Sequence, residues 1–503
     1  MIEGTAQSYW MASSDPTSYP ALTGSAEVDV AVVGGGIAGL STAWELARAG
    51  RSPVVLEADR IAAGVTGFTT GRLSAAHPWI YKPLRDSLGP DTACLYARSQ
   101  QEAVEHVERT ARDLGVDCDL ERRPSHIYVE SPDRVDELKE EAEAVREAGL
   151  PASFVTDTDL PYPVAGALRV EHQVQFHPRR YLLALAEDLV RRGGRVHERT
   201  RVVDLTEGAG DRPHRLTTAG GAVVTAREVV IATLFPIVEH ALMSFRLTPL
   251  RELVVAAPID EDADPGAMYI TRQENTRSVR TAPYGDGRRL LLITGESFAP
   301  GDGDLARHHR DLVAWAREHF KIGEIAYWWS AQDLDTADTV PYVGRISDRV
   351  HVATGFARSG MSHGVMSGRL LAGLITGNEP EWAHLYDPRR ARPHREAGSV
   401  LGTGMTNMRR FVEDRVRSRA GTLDDIRPGT GAVIRHRGRH CAAYRDEEGE
   451  PHVVSARCTH LACLVAFNDV ERVWECPCHG SRFGVDGTVL QGPATTSLEP
   501  VDP

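Results

Sequence analysis

The 503-residue sequence predicts an α/β domain built on a parallel sheet, a mixed-sheet region inserted into it, and a small all-β domain at the C-terminus. Three observations carry this. A β-branched run near the N-terminus breaks into a glycine triplet and then a helical pattern. Strand-like runs crowd the middle of the chain, such as Leu253 to Ala257, Leu290 to Thr294 and Ile325 to Trp329. Short strands separated by turn dipeptides, Glu448-Gly449 and Asp486-Gly487, fill residues 421–503.

The first element is the strand Val28 to Val33, followed at once by Gly34, Gly36 and Gly39 in the pattern G-x-G-x-x-G, with Ile37 and Ala38 inside it. A helix with apolar Leu40, Ala43, Trp44 and Ala47 ends near Gly50. Val54 to Leu56 form the next strand, and Glu57 closes it. A glycine triplet alone would be a weak signal. Strand, triplet, helix, strand and an acid about 20 residues on make the full Rossmann-type dinucleotide fingerprint. The glycines let the backbone approach a pyrophosphate at a helix N-terminus, and the acid accepts from ribose hydroxyls.

The last element carries a metal-ligand pattern. Cys458 and His460 form C-x-H, fifteen residues intervene, and Cys476 and His479 form C-x-x-H. Two thiolates and two imidazoles so arranged suit a Rieske [2Fe–2S] centre, in which two Cys hold one iron and two His the other. Neutral His ligands raise the potential into a window of about −150 to +300 mV. A Cys₂His₂ zinc site is the alternative, but zinc knuckles usually pair C-x₂-C with H-x₃₋₅-H, whereas here each half supplies one of each.

On these residues the C-terminal region resembles the Rieske proteins of respiratory and photosynthetic cytochrome complexes. The resemblance implies a Cys463–Cys478 disulfide tying the two cluster loops together, and a Ser481 hydroxyl donating to a bridging sulfide. Phe483 stands where high-potential members carry a Tyr donor, which implies a potential below the top of the family range.

Three further segments resemble the D-amino-acid oxidase, glycine oxidase and sarcosine oxidase superfamily. They are Phe176-His177-Pro178 with a helix to Gly194 and the strand through Val202 and Val203; Val229 to Thr233; and Val352 to Gly360 and Met361, with a helix to Gly377. The resemblance implies a glutathione-reductase-like fold holding FAD. Its expected FAD contacts are Gly34, Gly36, Ile37, Ala38, Gly39, Glu57, Thr66, Thr69, Thr70, Val203, Ala232, Thr233, Gly355, Gly360 and Met361. Phe68 occupies the loop where some relatives place a His, so noncovalent FAD is expected. Leu234 replaces the more usual Gly or His after the second segment. The whole chain resembles bacterial flavin–Rieske fusion oxidoreductases.

The implied activity is an FAD-dependent dehydrogenase that oxidises the C–N bond of a small amine or amino-acid-like substrate. Electrons would then pass singly through the cluster to an external acceptor, a protein or a quinone. An NAD(P)H-driven reductase feeding the cluster is the alternative; it needs a second nucleotide fingerprint, and Gly429-Thr430-Gly431 opens no helix. A Rieske oxygenase needs a mononuclear iron triad, which adjacent His308 and His309 do not supply. Candidate catalytic residues are His363, to set substrate protonation, Gln332, standing where a carboxylate-binding arginine occurs in relatives, and Arg358. Arg280 and Arg345 are further carboxylate clamps, and Tyr327, Trp328 and Trp329 further pocket residues. Sarcosine-oxidase-like enzymes place a lysine above the flavin; the lysines here are Lys82, Lys139 and Lys321, none in a flavin motif, which favours dehydrogenase over oxidase.

Composition fits a multi-domain enzyme. Length allows three or four folding units, and 42% hydrophobic residues can build them. A net charge of −13 argues against nucleic acid. No apolar run spans a membrane and no secretory signal precedes residue 28, so a cytoplasmic location is expected. Of seven cysteines, Cys94, Cys118 and Cys441 lie outside the cluster region and read as buried apolar residues. The expected organisation is a leader over 1–27 and an oxidoreductase unit over 28–395. That unit's FAD parts are 28–80, 170–235 and 336–395, and its substrate parts 81–169, with a helical insert at 84–150, and 236–335. A linker over 396–420, helical near Met408 to Val416, precedes the Rieske domain at 421–503.

Overall fold

A computed structural model describes residues 2–239, 242–271, 275–302, 304–390 and 421–502. The linker with its helical stretch Met408 to Val416, and residues 391–395, lie outside the described residues.

The N-terminal β-branched run forms the strand Ser25–Val33, whose last four residues are fully buried. That suits a central parallel strand covered on both faces. It sits inside an eight-stranded sheet ordered Tyr342–Ser347, Val350–Thr354, Val223–Ile231, Ser25–Val33, Pro53–Leu56, Arg195–His197, with a hairpin of Val202–Thr206 and His214–Thr218 attached. The strands from Val350–Thr354 to Arg195–His197 pair in parallel. Val33, Ile231 and Thr354 therefore end side by side at one edge, where ligands bind in open α/β sheets. The helices Ile37–Arg48 and Gly360–Thr376 both start at this edge. They pack closely because Gly364 lies against Ile37 and Gly368 against Ser41, with no room for a Cβ.

The second sheet has ten strands and is mixed. Its order is Thr5–Ala6, Tyr327–Thr336, Leu247–Asp260, Arg288–Phe298, Arg277–Tyr284, Met268–Thr271, Glu121–Val129, Gly166–Gln175, Arg72–Leu73, with Ala152–Val155 beside Gly166–Gln175. The leader is thus woven in: Thr5–Ala6 adds an edge strand, and Trp10 is fully buried. The helical insert is only partly helical. Tyr81–Leu88, Pro90–Leu114 and Val135–Glu147 are helices, but Glu121–Val129 is a strand pairing with Gly166–Gln175 and Met268–Thr271. Pairing partners so distant in sequence decide that segment, and the strong 3.6 periodicity of the preceding helix says nothing about them.

The C-terminal domain has a three-stranded sheet, Thr430–His436, Arg439–Arg445 and Pro451–Ser455, and a four-stranded one, Ala466–Asn468, Val473–Glu475, Arg482–Phe483 and Val489–Gln491. Cys458, Cys463, Cys476 and Cys478 lie in its core beside Trp474 and Phe483. Among the described residues, no helix is long and apolar enough to cross a membrane. Cys118 and Cys441 are buried; Cys94 is half-exposed, contrary to the apolar-core expectation, on a face of its helix near Glu147.

Candidate functional site

A cavity of about 450 Å³ opens at the C-terminal edge of the parallel sheet. Gly34 adopts φ 108°, and a Cβ there would overlap the Ala232 carbonyl. A Cβ on Gly39 would overlap the Gly34 carbonyl oxygen, so this glycine packs the turn from behind and does not line the cavity. Gly36 caps the Ile37–Arg48 helix without a side-chain hydrogen bond, which leaves backbone N–H groups at its positive end directed outward. Thr66 Oγ1 accepts from Ile37 N–H at 3.1 Å. Glu57 accepts from Gly35 N–H at 2.6 Å and Asp59 N–H at 2.9 Å; burial raises its pKa above the usual carboxylate range.

Gly34, Gly36, Ile37, Ala38, Glu57, Thr66, Thr69, Thr70, Ala232, Thr233, Gly355, Gly360 and Met361 all line this cavity. Val203 does not; its neighbour Val202 does. Successive strand residues face opposite sides, so a one-residue error in placing the strand exchanges them. Leu234 holds φ 67°, a left-handed conformation that a glycine would take without strain.

The three catalytic candidates separate. Gln332 and Arg358 line the cavity, but His363 does not. His363 is buried on the other side of its helix, with Nε2 3.0 Å from Tyr96 Oη and Nδ1 2.9 Å from the Phe356 carbonyl oxygen. Tyr96 also meets His77 Nδ1 at 2.6 Å, and His77 Nε2 meets Ser362 Oγ at 2.9 Å. Burial pushes the His363 pKa down to about 4. The packing of Gly360–Thr376 against Ile37–Arg48 turns Gly364 and Gly368 toward that neighbour, and His363 faces the Pro90–Leu114 helix instead. Arg358 is already paired, to Asp335 at 2.9 Å and Glu252 at 3.5 Å. Arg280 lies buried beside the Trp10 ring and Arg345 is exposed on its strand; neither lines the cavity. Trp328 and Trp329 belong to the packed cores and Tyr327 borders one of them, so none of the three lines it either. Lys82, Lys139 and Lys321 also lie elsewhere.

Asp333, Glu252 and Arg251 line the cavity and were not singled out from sequence. Asp333 accepts from Arg358 N–H at 2.6 Å. Burial, reinforced by nearby Asp335, pushes its pKa up to about 7. Ala357 and Arg358 hold φ 48° and 67°, two consecutive left-handed residues that turn the chain into the Gly360 helix.

The C-terminal domain closes the cavity. Glu471, Arg482, Leu490, Gln491, Gly492, Ala494 and Thr495 line it opposite the glycine turn. Arg251, 1% exposed, pairs with Glu475, 0% exposed, and with Glu471 at 2.8 Å. Arg482 meets Glu471 at 2.7 Å. Burial opposes ionisation of Glu471, but Arg251 and Arg482 outweigh it and hold the carboxyl at about 2. The Gln332 amide sits against Gly480.

In that domain Cys463 and Cys478 form a disulfide. Cys458 and Cys476 are buried beside each other; their mutual contact lowers the pKa of the Cys458 thiol and, with burial, raises that of Cys476. The His460 and His479 rings stand 4.8 Å apart. His479 Nε2 meets the Ser244 carbonyl at 3.1 Å, across the domain boundary. Ser481 Oγ accepts from Ala494 N–H at 3.0 Å. Phe483 is fully buried.

Comparison with known proteins fits both halves. Residues 29–374 match the DAO family of FAD dependent oxidoreductases. The chain belongs to that family. Residues 418–502 match the Rieske [2Fe-2S] domain. The Rieske 2Fe-2S iron-sulfur protein YhfW of Bacillus subtilis (strain 168) is 32% identical over 501 residues, covering 99% of this chain and 97% of that one. The gamma-glutamylputrescine oxidoreductase of Escherichia coli (strain K12) is 27% identical, covering 78% and 93%. Among solved structures, L-proline dehydrogenase from P. horikoshii superposes with TM-score 0.59 at 18% identity, covering 74% and 98%, and shares the fold.

This FAD dependent oxidoreductase therefore takes two cofactors, FAD and a Rieske [2Fe–2S] cluster. Its residues fit both. The glycine turn leaves a backbone cradle that a Cβ would fill. His460 Nδ1 is buried without a hydrogen-bond partner. The Ser244 carbonyl engages His479 Nε2, which leaves Nδ1 of that ring as the atom that would hold a metal.

Proposed function

We propose that the chain is an FAD-dependent dehydrogenase that oxidises an amine or amino-acid C–N bond and passes the electrons through its Rieske domain to an external acceptor. Bound FAD would supply the two-electron acceptor for a hydride, and the cluster a one-electron carrier. Cys458, His460, Cys476 and His479 would hold the cluster. Gly34, Gly36, Ile37 and Ala38 would cradle the pyrophosphate, and Glu57 would accept from the ribose.

The observation that carries this is the shared cavity: its walls come from the glycine turn, from the substrate sheet and from the Rieske domain. The Rieske domain is held there by buried ion pairs, and His479 faces Ser244 and Phe235 of the FAD unit. Glu252 and Asp333 beside Gln332 give the substrate wall carboxylates, while Arg358 is neutralised by Asp335 and Glu252. That wall suits an amine better than a substrate gripped by a free arginine. Asp333, poised near neutrality, would hold or release a proton at its carboxyl as the amine binds. The similarity to the gamma-glutamylputrescine oxidoreductase supports the amine class.

The test is an anaerobic titration of purified protein with secondary amines, methylated amino acids and polyamine derivatives, following flavin absorbance and low-temperature EPR together. Flavin bleaching with growth of a Rieske signal supports the proposal. A cluster signal obtained only with NAD(P)H would establish the reductase alternative instead.

A further inference from the structure

The last hairpin of the C-terminal domain lies over the dinucleotide end of the cavity. Leu490, Gln491, Gly492, Ala494 and Thr495 share that cavity with Glu57, Asp59, Arg201 and Val202, more than two hundred and fifty residues earlier in the chain. The contact is fixed by a hydrogen bond: Arg201 Nη2 donates to the Val489 carbonyl at 3.1 Å. Gln491 stands opposite Arg482 in the four-stranded sheet, and Arg482 lines the same wall.

One polar atom in this segment is left over. Gln491 Nε2 is buried and has no hydrogen-bond partner in the protein. A buried amide donor without an acceptor is costly, and such groups are normally satisfied by something else in the site. A dinucleotide offers acceptors in its ribose hydroxyls and phosphate oxygens. We propose that the segment Leu490 to Thr495 is part of the FAD site, and that Gln491 donates a hydrogen bond to the bound dinucleotide.

The Rieske domain then does two things. It carries the cluster, and it roofs the flavin cofactor. The same segment reaches the cluster loops, because Ala494 N–H donates to Ser481 Oγ at 3.0 Å.

The test measures FAD retention, independently of turnover. Holoenzyme is diluted and the rise of free-flavin fluorescence gives the dissociation rate; reconstitution of stripped protein gives the affinity. Wild-type protein in the same assay establishes the FAD site without reference to Gln491. Gln491→Ala is expected to weaken FAD binding about fivefold, the size of one lost hydrogen bond. Gln491→Glu keeps the shape, removes the donor and adds a negative charge, so it weakens binding further. The cluster's visible absorbance and EPR signal, unchanged in both variants, shows the domain folded. Wild-type FAD affinity in both variants, with the cluster intact, would overturn the proposal.

Discussion

Asp333 shows how one residue's surroundings set its chemistry. Its carboxyl, ordinarily near 3.8, is pushed up to about 7 because burial disfavours the carboxylate and Asp335 adds like charge, against the N–H groups of Leu334 and Arg358. Below about pH 4 the folded and unfolded forms both hold the proton. From there to about 7 the unfolded chain loses it and the folded chain keeps it, so stability falls as pH rises through that window and levels off above it. Asp333→Asn removes this slope: thermal melts from pH 4.5 to 7.5 should show the variant gaining on wild type as pH rises. Parallel profiles would mean that Asp333 ionises normally. Residues with local signatures were legible from sequence. The four Cys and His ligand candidates sit in two tight motifs, and the glycine turn follows its strand directly. Asp333 was hidden beside Gln332, because nothing local tells which strand neighbour meets the cavity. His363 lies off the cavity for a related reason: the face of its helix that meets the cavity depends on where the Ile37–Arg48 helix packs.

At the scale of elements, the joint between the Leu247–Asp260 strand and the Val473–Glu475 strand holds the two domains together. Arg251, Glu471, Glu475 and Arg482 are tied into one buried network that also takes in Ser330 and Asn468. Removing one partner of such a pair leaves an uncompensated buried charge, costing about 3–5 kcal/mol. Arg251→Ala should therefore loosen the C-terminal domain, seen as faster amide hydrogen exchange across 466–475 and a lower melting transition. Unchanged exchange there would show that other contacts hold the domain. This joint could not be read from sequence. Arg251 and Glu475 are 224 residues apart, and each looks locally like an ordinary surface residue. The strands on either side were legible, because β-branched runs and turn dipeptides are local. The Glu121–Val129 strand was not, since its partners are remote.

The whole molecule places one cavity between a dinucleotide fold and a Rieske domain. The architecture was legible at this scale because both ends carry motifs with fixed spacing, and the resemblance to known families spans the region between them. Their apposition was not, since it rests largely on residues outside either motif, such as Arg251, Glu471 and Glu475. In the proposed function, electrons cross between the cofactors inside one chain. Its most direct test is an anaerobic mixing experiment in which the flavin is reduced first and the appearance of the reduced Rieske EPR signal is timed at several protein concentrations. A rate independent of concentration is predicted. A rate proportional to concentration would mean that the cluster is filled by another molecule, and would rule out transfer within the chain.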